Sequence, residues 1–321
     1  MNGVNCMDDM NSMNNMKRMN GPGEKTAGVT VRRQKIRRDR TKMRLAVFLV
    51  LVLLLLAATV FAEQLCPYDP YAQEFSAALQ PPSRTHPFGT DRYGRDMLSR
   101  VLIGGQTSIS SALILVAVIG VTGTAIGMIC GYLGGGVDMV VMRISDICLA
   151  FPSLVFAMAI AAVLNGGIRN AVIALAAVSW PKYARIARSQ ALTVKSSDYI
   201  AASRLSGSHP LWVIFFHILP NIAGPVLVTA VLDIGTMMME LAGLSFLGLG
   251  AQPPAAEWGS MMSGGRSMLQ TCPWVVLSPG LAIFVTVVLF NLLGDAVRDY
   301  MDPKAAGRRF AAARGVREGR D

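Results

Sequence analysis

Residues 45–62 read Leu-Ala-Val-Phe-Leu-Val-Leu-Val-Leu-Leu-Leu-Leu-Ala-Ala-Thr-Val-Phe-Ala, a run in which Thr59 is the one polar side chain. As a helix rising ~1.5 Å per residue, the run extends about 27 Å, close to the ~30 Å of a bilayer's hydrocarbon core. Arg32, Arg33, Lys35, Arg37, Arg38, Arg40, Lys42 and Arg44 stand before it. Such a basic flank holds that end in the cytoplasm. A cleaved secretory signal is the alternative, since Ala62 suits a cleavage site. The long pre-sequence and the length of the run favour an uncleaved anchor. The stretch therefore predicts an all-α membrane protein in which residues 45–62 form the first transmembrane helix.

Composition agrees. Of the 321 residues, 52% are hydrophobic and 16% charged, too apolar for an ordinary soluble domain. No Asp, Glu, Lys or Arg lies between Arg100 and Asp138, or between Arg266 and Asp295. The net charge of +10 resides in segments flanking apolar runs, so it is a topology signal and gives no reason to invoke nucleic acid. Cys6, Cys66, Cys130, Cys148 and Cys272 show no paired spacing, and His86, His209 and His217 are far apart. No metal site and no cofactor is read from them. Gly23–Thr26 lacks the Gly-Lys-Thr order of a phosphate-binding loop, so no nucleotide site is read either.

The chain can then be walked across the bilayer. Residues 1–44 read as a disordered, basic, cytoplasmic tail, and 63–100 as an external segment. A second span lies within about Ile103–Cys130, and Tyr132–Asp138 turns it around. A third runs from about Met142 to Leu164, with Asn165-Gly166-Gly167 as a short outer turn. The fourth, about Ala171–Ala187, is the weakest, because Lys182, Arg185 and Arg188 intrude on its inner half. Long basic side chains can snorkel to the interface, and omitting this span would put the basic residues from Lys182 to Arg204 outside. Ile222–Leu244 and Trp274–Leu293 complete six spans, five of them in a core over 101–296. An inner loop over 189–220 and a basic tail over 297–321 then lie, like the N-terminus, in the cytoplasm.

Several features stand out within that frame. Gly123, Gly127 and Gly131 share one helix face and predict close packing of a neighbouring helix. Pro152, Pro181, Pro225 and Pro279 fall in or near four spans, where each can kink its helix. In the inner loop, Ala201, Ala202 and Ser203 would let a short helix sit flush against another protein, and Gly207 suits a left-handed terminator. On composition alone the loop is equally any amphipathic connector. Thr90 or Asp91 can cap the helix that follows, and Asp96 with Arg100 has the spacing of an i,i+4 ion pair. Cys66 and Cys272 both fall outside, and spacing gives no support for a disulfide between them.

Asp233 and Glu240 lie seven residues apart in the fifth span, nearly on one face. Ionisable groups within a span default to a functional reading, here the lining of a translocation path. The alternative is that each is satisfied by a hydroxyl, a backbone donor or a basic partner. Met237-Met238-Met239 points around the helix and reads as packing, without a soft-metal site.

The inner run Asp198–Gly207, followed by Ile218-Leu219-Pro220-Asn221, resembles the "EAA" loop of permease subunits in ATP-binding-cassette importers. Ala202, Ser203 (for the second Ala), Gly207, Leu219 and Pro220 match that motif, while Ala201 replaces its leading Glu. Three further groups are similar to the dipeptide, oligopeptide and nickel permeases. His86–Asp91 with Gly94-Arg95-Asp96 precedes the second span, Gly243–Gly250 with Glu257-Trp258-Gly259 follows the fifth, and Asn291–Asp295 with Arg298-Asp299 and Asp302-Pro303 ends the match. They cover about Arg84–Lys304 in the family's order.

The resemblance implies a type I importer permease, in fact the family's second permease subunit, and a chain that is no enzyme. It implies that 189–220 is a coupling loop whose cytoplasmic helix, with Ala201, Ala202, Ser203, Arg204, Gly207, Leu219 and Pro220, seats in an ATPase. It further implies a homologous permease as heterodimer partner, two ATP-binding subunits that hydrolyse ATP, and an extracytoplasmic solute-binding protein. Gly89, Thr90, Asp91, Gly94, Arg95 and Asp96 become its external motif, structural or in contact with the binding protein. Ala202–Gly207 and Leu232–Gly235 lean toward the nickel or metal-chelate branch, with dipeptides and oligopeptides as the alternative. An autonomous channel has no use for the 201–220 loop, and a membrane enzyme would need converging catalytic groups that the sequence does not offer.

Overall fold

The structure, a computed structural model, describes residues 23–301. The segments up to 22 and from 302 onward, with Asp302 and Pro303, lie outside the described residues, as do the side chains of residues 23–40 and of Arg204. Among the described residues the regular elements are all helical, with no strand beyond a single bridge between Thr90 and Asp96. The elements are α1 (Gly23–Val60), α2 (Ala62–Leu65), α3 (Met97–Leu133), α4 (Gly135–Ala150), α5 (Ser153–Val163), α6 (Ile168–Lys195) and α7 (Asp198–Leu205). They continue with α8 (Pro210–Trp212), a π-helical turn (Val213–Ile218), α9 (Leu219–Phe246), α10 (Trp258–Gly265) and α11 (Trp274–Met301).

The described residues up to Val47 fall in one compact unit and those from Phe48 in a second. In the first, the basic flank from Gly23 is helical where a disordered tail was expected. Its Arg, Lys, Gln and Ala residues are good helix formers, and extending a helix already nucleated by an apolar run is cheap.

Thr41–Val60, Met97–Leu133, Pro210–Phe246 and Trp274–Met301 are long and apolar enough to cross a membrane. The third expected span differs from its prediction. Instead of one helix from Met142 to Leu164, α4 and α5 meet at a bend of 95° and would make a fifth span only if taken together. The cause is local: Phe151 is extended (φ −108°, ψ 150°) because Pro152 disfavours the helical region for its predecessor. Pro152 then starts α5 without needing an amide hydrogen.

The fourth expected span, Ala171–Ala187, lies within α6, which is too charged to meet the same test of length and apolarity. The three intruding basic side chains, Lys182, Arg185 and Arg188, are matched one by one. Lys182 Nζ lies 2.5 Å from Asp233 Oδ1 on α9, and Arg185 Nη2 lies 2.6 Å from Asp146 Oδ1 on α4. Arg188 grips Asp138 of α4 through both Nε and Nη2. The residues expected to snorkel are thus interhelical partners, spaced three apart on one face of α6.

Glycines set the packing of α3 on α6. A Cβ on Gly123 would sit 2.5 Å from the Trp180 carbonyl, one on Gly127 2.2 Å from the Ala184 carbonyl, and one on Gly131 2.8 Å from Ala191 Cβ. The predicted small-residue face therefore has its partner helix. The same device joins α9 to α11, where a Cβ on Gly294 would meet Leu232 Cδ2 at 2.5 Å. Pro181, Pro225 and Pro279 all sit inside helices, in α6, α9 and α11.

Candidate functional site

The inner loop is more ordered than its sequence suggests. Helix α6 continues to Lys195 and helical backbone resumes at Pro210, so only short turns flank α7. Gly207 ends that helix at φ 77°, in the left-handed region, and nothing stands within 4 Å of where its Cβ would be. The Ser206 amide donates to the Ala202 carbonyl and the Ser208 amide to that of Ser203. The Ser203 and Ser208 hydroxyls pair at 3.0 Å. These bonds satisfy the carbonyls that a helix end leaves open.

One residue of α7 anchors the rest. Ile200 is fully buried in an apolar cluster with Met128 and Tyr132 of α3, Ala187 and Ala191 of α6, Val213, Ile214 and Ile218 of the π turn, and Ile222 of α9. Leu219 packs against the same cluster. Ala201 and Ala202, by contrast, are exposed, and Leu205 is 90% exposed. Pro220 stands in the first turn of α9, where its missing amide costs nothing. On the adjoining turn Trp212 and Phe216 stack at 3.9 Å with both rings exposed. Asn221 Nδ2 donates to the Tyr199 hydroxyl at 3.2 Å, tying α7 to the start of α9. The motif is thus a short helix whose inward residue is clamped by three long helices and whose outward face is small and open. Ile200 carries no motif signature and was missed from sequence; its only signal is an isolated Ile between polar and small residues.

A second set of residues lies where α5, α6 and α9 meet. Asp233 is 2% exposed and receives Lys182, while Glu240 Oε1 accepts from the Ser153 hydroxyl at 2.9 Å. Of the alternatives open for these acids, the basic partner holds for Asp233 and the hydroxyl for Glu240. Asp233 Oδ2, Glu240 Oε2 and the Tyr183 hydroxyl have no hydrogen-bond partner among the described residues. The two acids are therefore not brought together on one partner. Met237 and Met238 are buried and Met239 is 55% exposed, so the triplet points around the helix as its spacing required.

The segment before α3 is a compact knot. Asp96, and neither Thr90 nor Asp91, caps α3: its Oδ2 accepts from the Ser99 amide and hydroxyl, both at 2.8 Å. Its Oδ1 faces His86 Nδ1 at 2.9 Å. The expected Asp96–Arg100 pair is absent from the described ion pairs, because the cap consumes the carboxylate. Asp91 pairs instead with Arg95 at 2.7 Å, and Arg100 donates to the Pro70 carbonyl at 3.0 Å. The Thr90 hydroxyl donates to the Ala77 carbonyl at 2.5 Å, and the Trp274 indole donates to the Thr90 carbonyl at 3.2 Å. Gly89 and Gly94 have φ near +70°, and a Cβ on Gly94 would strike the Glu74 carbonyl. These motif residues hold the segment's fold and fasten it to the starts of α3 and α11.

The motif Glu257-Trp258-Gly259 makes a similar fastening. Glu257 is buried and caps α10 by accepting from the Gly259 and Ser260 amides at 2.9 and 2.8 Å. The Trp258 indole donates to the Val101 carbonyl of α3 at 2.8 Å. Cys66, Cys130, Cys148 and Cys272 are free thiols, so Cys66 and Cys272 are unpaired.

Known proteins share this arrangement. Residues 123–307 match the family described as the binding-protein-dependent transport system inner membrane component. Residues 34–82 match the N-terminal transmembrane domain of oligopeptide transport permease C. The probable D,D-dipeptide transport system permease protein DdpC of Escherichia coli K12 is 46% identical over 81% of this chain and 87% of its own. The dipeptide transport system permease protein DppC of Alkalihalophilus pseudofirmus is 38% identical over 88% of this chain and 93% of its own. The glutathione transport system permease protein GsiD of Pectobacterium atrosepticum is 41% identical over 79% and 84%. The fold resembles that of a chain solved in a study of inward-facing conformations of the MetNI methionine ABC transporter, which aligns with a TM-score of 0.52 at 18% identity, over 64% of this chain and 97% of that one. The chain belongs to the family of binding-protein-dependent transport system inner membrane components, as a permease subunit of its dipeptide and oligopeptide branch.

Proposed function

We propose that this chain forms half of the translocation path of an ATP-driven importer for small peptides, and that α7 is its coupling helix. The observation that carries the second part is the burial of Ile200 among the ends of α3, α6 and α9 while Ala201 and Ala202 stay exposed. A partner that pushes on the open face of α7 moves a clamped residue, and through it three packed helices. Ala201 in place of an acid makes the contact one of shape, with no charge at that position.

The remaining parts follow from the family and from charge. A homologous permease completes the path as a heterodimer, two ATPase subunits supply hydrolysis, and a solute-binding protein delivers cargo from outside. Both termini and α7 face the cytoplasm, as the basic flanks require, and α6 serves as the fourth span with Lys182, Arg185 and Arg188 neutralised in pairs. Glu240, held by Ser153, and Asp233, buried beneath the half-exposed Lys182, contribute to the wall of the path. Peptides are favoured over nickel or a metal chelate because the relatives carry peptide and glutathione names.

Uptake decides between the substrates. In a strain lacking this subunit, the restored chain should support accumulation of labelled alanyl-alanine and not of chelated nickel; the reverse result would overturn the peptide reading. Gly207→Pro should lower uptake per ATP hydrolysed in the purified complex, and unchanged coupling would remove α7 from its proposed role.

A further inference from the structure

A cavity of about 620 Å³ opens between the segment before α3 and the loop that follows α9. Its volume lies in the range of small-molecule sites, roughly 300–1,000 Å³. Arg92, Arg95, Arg100 and Arg266 line it, against the single carboxylate of Asp91. That acid is already committed, at 2.7 Å to Arg95 and 3.8 Å to Arg100. Arg100 also donates to the Pro70 carbonyl. Arg92 and Arg266 are exposed, and among the described residues no carboxylate stands against either. The cavity therefore has two uncompensated guanidinium groups at its wall, far from the Lys182–Asp233 pair in sequence and on other elements.

The basic wall is held in place. The Tyr93 ring lies between two of the arginines, 4.8 Å from Arg92 Cζ and 4.6 Å from Arg95 Cζ. Such stacking orients a guanidinium without consuming its donors. Arg95 is in turn fixed by Asp91, whose carboxylate also accepts from the Tyr93 and Arg95 amides at 2.8 and 3.0 Å. The opposite wall supplies neutral polar groups, among them Gln252 and Ser245, whose buried hydroxyl has no partner among the described residues. Arg92, stacked on Tyr93 before α3, and Arg266, after α10, with neutral polar groups lining the same cavity, suit a small anion, and a planar carboxylate matches the guanidinium fork.

We infer that this cavity is a carboxylate-binding site, in which Arg92 and Arg266 receive the carboxylate of a small solute. On the proposed peptide function, on which this inference rests for its cargo, that group is the peptide's C-terminal carboxylate. The site would hold the peptide on the outer side of the bilayer before it enters the path.

Equilibrium binding to the purified importer complex, without solute-binding protein, tests the assignment. The probes are alanyl-alanine and its C-terminal amide. The wild-type complex should bind the free acid about tenfold or more tightly than the amide, since one charge-assisted contact is worth about that factor. R92Q/R266Q should abolish the preference, and the charge-conserving R92K/R266K should restore most of it, which separates lost charge from lost fold. Equal binding of acid and amide by the wild type overturns the inference, as does an unchanged preference in R92Q/R266Q. If the double variant instead weakens only the association of the solute-binding protein, the cavity is a protein-docking surface and the inference falls. Should the complex import a chelated metal and no peptide while still preferring acid to amide, the peptide reading fails and the carboxylate site stands.

Discussion

Lys182 on α6 and Asp233 on α9 form an interhelical ion pair at 2.5 Å in which the two members are unequally placed: the acid's side chain is 2% exposed and the base's 50%. The inequality gives the two single substitutions different costs. Lys182→Met strands a buried carboxylate, the situation that costs about 3–5 kcal/mol when a buried pair is broken. Asp233→Asn leaves a half-exposed lysine whose long side chain can snorkel to the interface, and should cost about 1 kcal/mol. Thermal denaturation of the purified complex in detergent should therefore rank Lys182→Met below Asp233→Asn. Equal losses would mean that the base is as enclosed as the acid.

The glycine face of α3 separates packing from mere helical composition. At Gly127 an added Cβ would come within 2.2 Å of the Ala184 carbonyl, whereas at Gly120 the nearest atom, on Tyr183, is 3.6 Å away. Backbone cannot yield as a side chain tip can, and overpacking of this kind costs about 1–3 kcal/mol or more. Gly127→Ala should reduce the yield of folded complex, while Gly120→Ala, in ordinary contact, should be neutral or stabilising by the helix preference for Ala. Size-exclusion recovery of the two variants checks this directly.

Ile200 offers a test of the proposed coupling that leaves the exposed face of α7 untouched. Truncation to Ala removes the anchor from a cluster in which it is fully buried, and such a change costs about 2–5 kcal/mol locally. Because α7 is short and lies at one end of the bundle, the loss should appear as looser attachment of this helix, with the spans intact. The proposed role then requires ATP hydrolysis to persist while substrate uptake per ATP falls severalfold. Proportional loss of both activities would point to failed assembly.

The long apolar runs were legible because lipid imposes one requirement on every residue of a span. The glycine face and the Gly207 terminator were legible because each rests on steric rules that neighbours rarely override. The bend at Phe151–Pro152 was half legible: the proline announced a break, but its 95° size depends on where α4 finds partners for Asp138 and Asp146. The pairing of Lys182 with Asp233 was not legible, since fifty-one residues separate them and only the packing of α6 on α9 sets their depth. Asp96 was misread for the same reason. Its spacing to Arg100 fits an ion pair, yet the open amides at the start of α3 and the His86 ring claim both carboxylate oxygens first.

Cys66 follows α2 in the segment proposed to lie outside the membrane, and it reports both its surroundings and its side of the bilayer. Burial pushes its thiol above the ordinary range, partly opposed by the Ser99 side chain; Sγ itself donates to the Ser99 carbonyl at 3.5 Å, a bond that favours the protonated form. The thiolate is the reactive form, so a raised value means a smaller reactive fraction at neutral pH. Labelling by a membrane-impermeant maleimide should therefore be slower at pH 7 than at a cysteine placed at exposed Ser76, and its rate should go on climbing at pH values where the Ser76→Cys rate has levelled off. Ser99→Ala is the control: it leaves the backbone acceptor in place and removes the hydroxyl that opposes the shift, so Cys66 should label no faster, although the 3.2 Å bond from the Tyr68 amide and the 2.8 Å bond to Asp96 Oδ2 are lost. Labelling of Cys66 in intact spheroplasts places this segment outside. Labelling only in inverted vesicles would reverse the proposed topology, and with it the assignment of α7 to the cytoplasm.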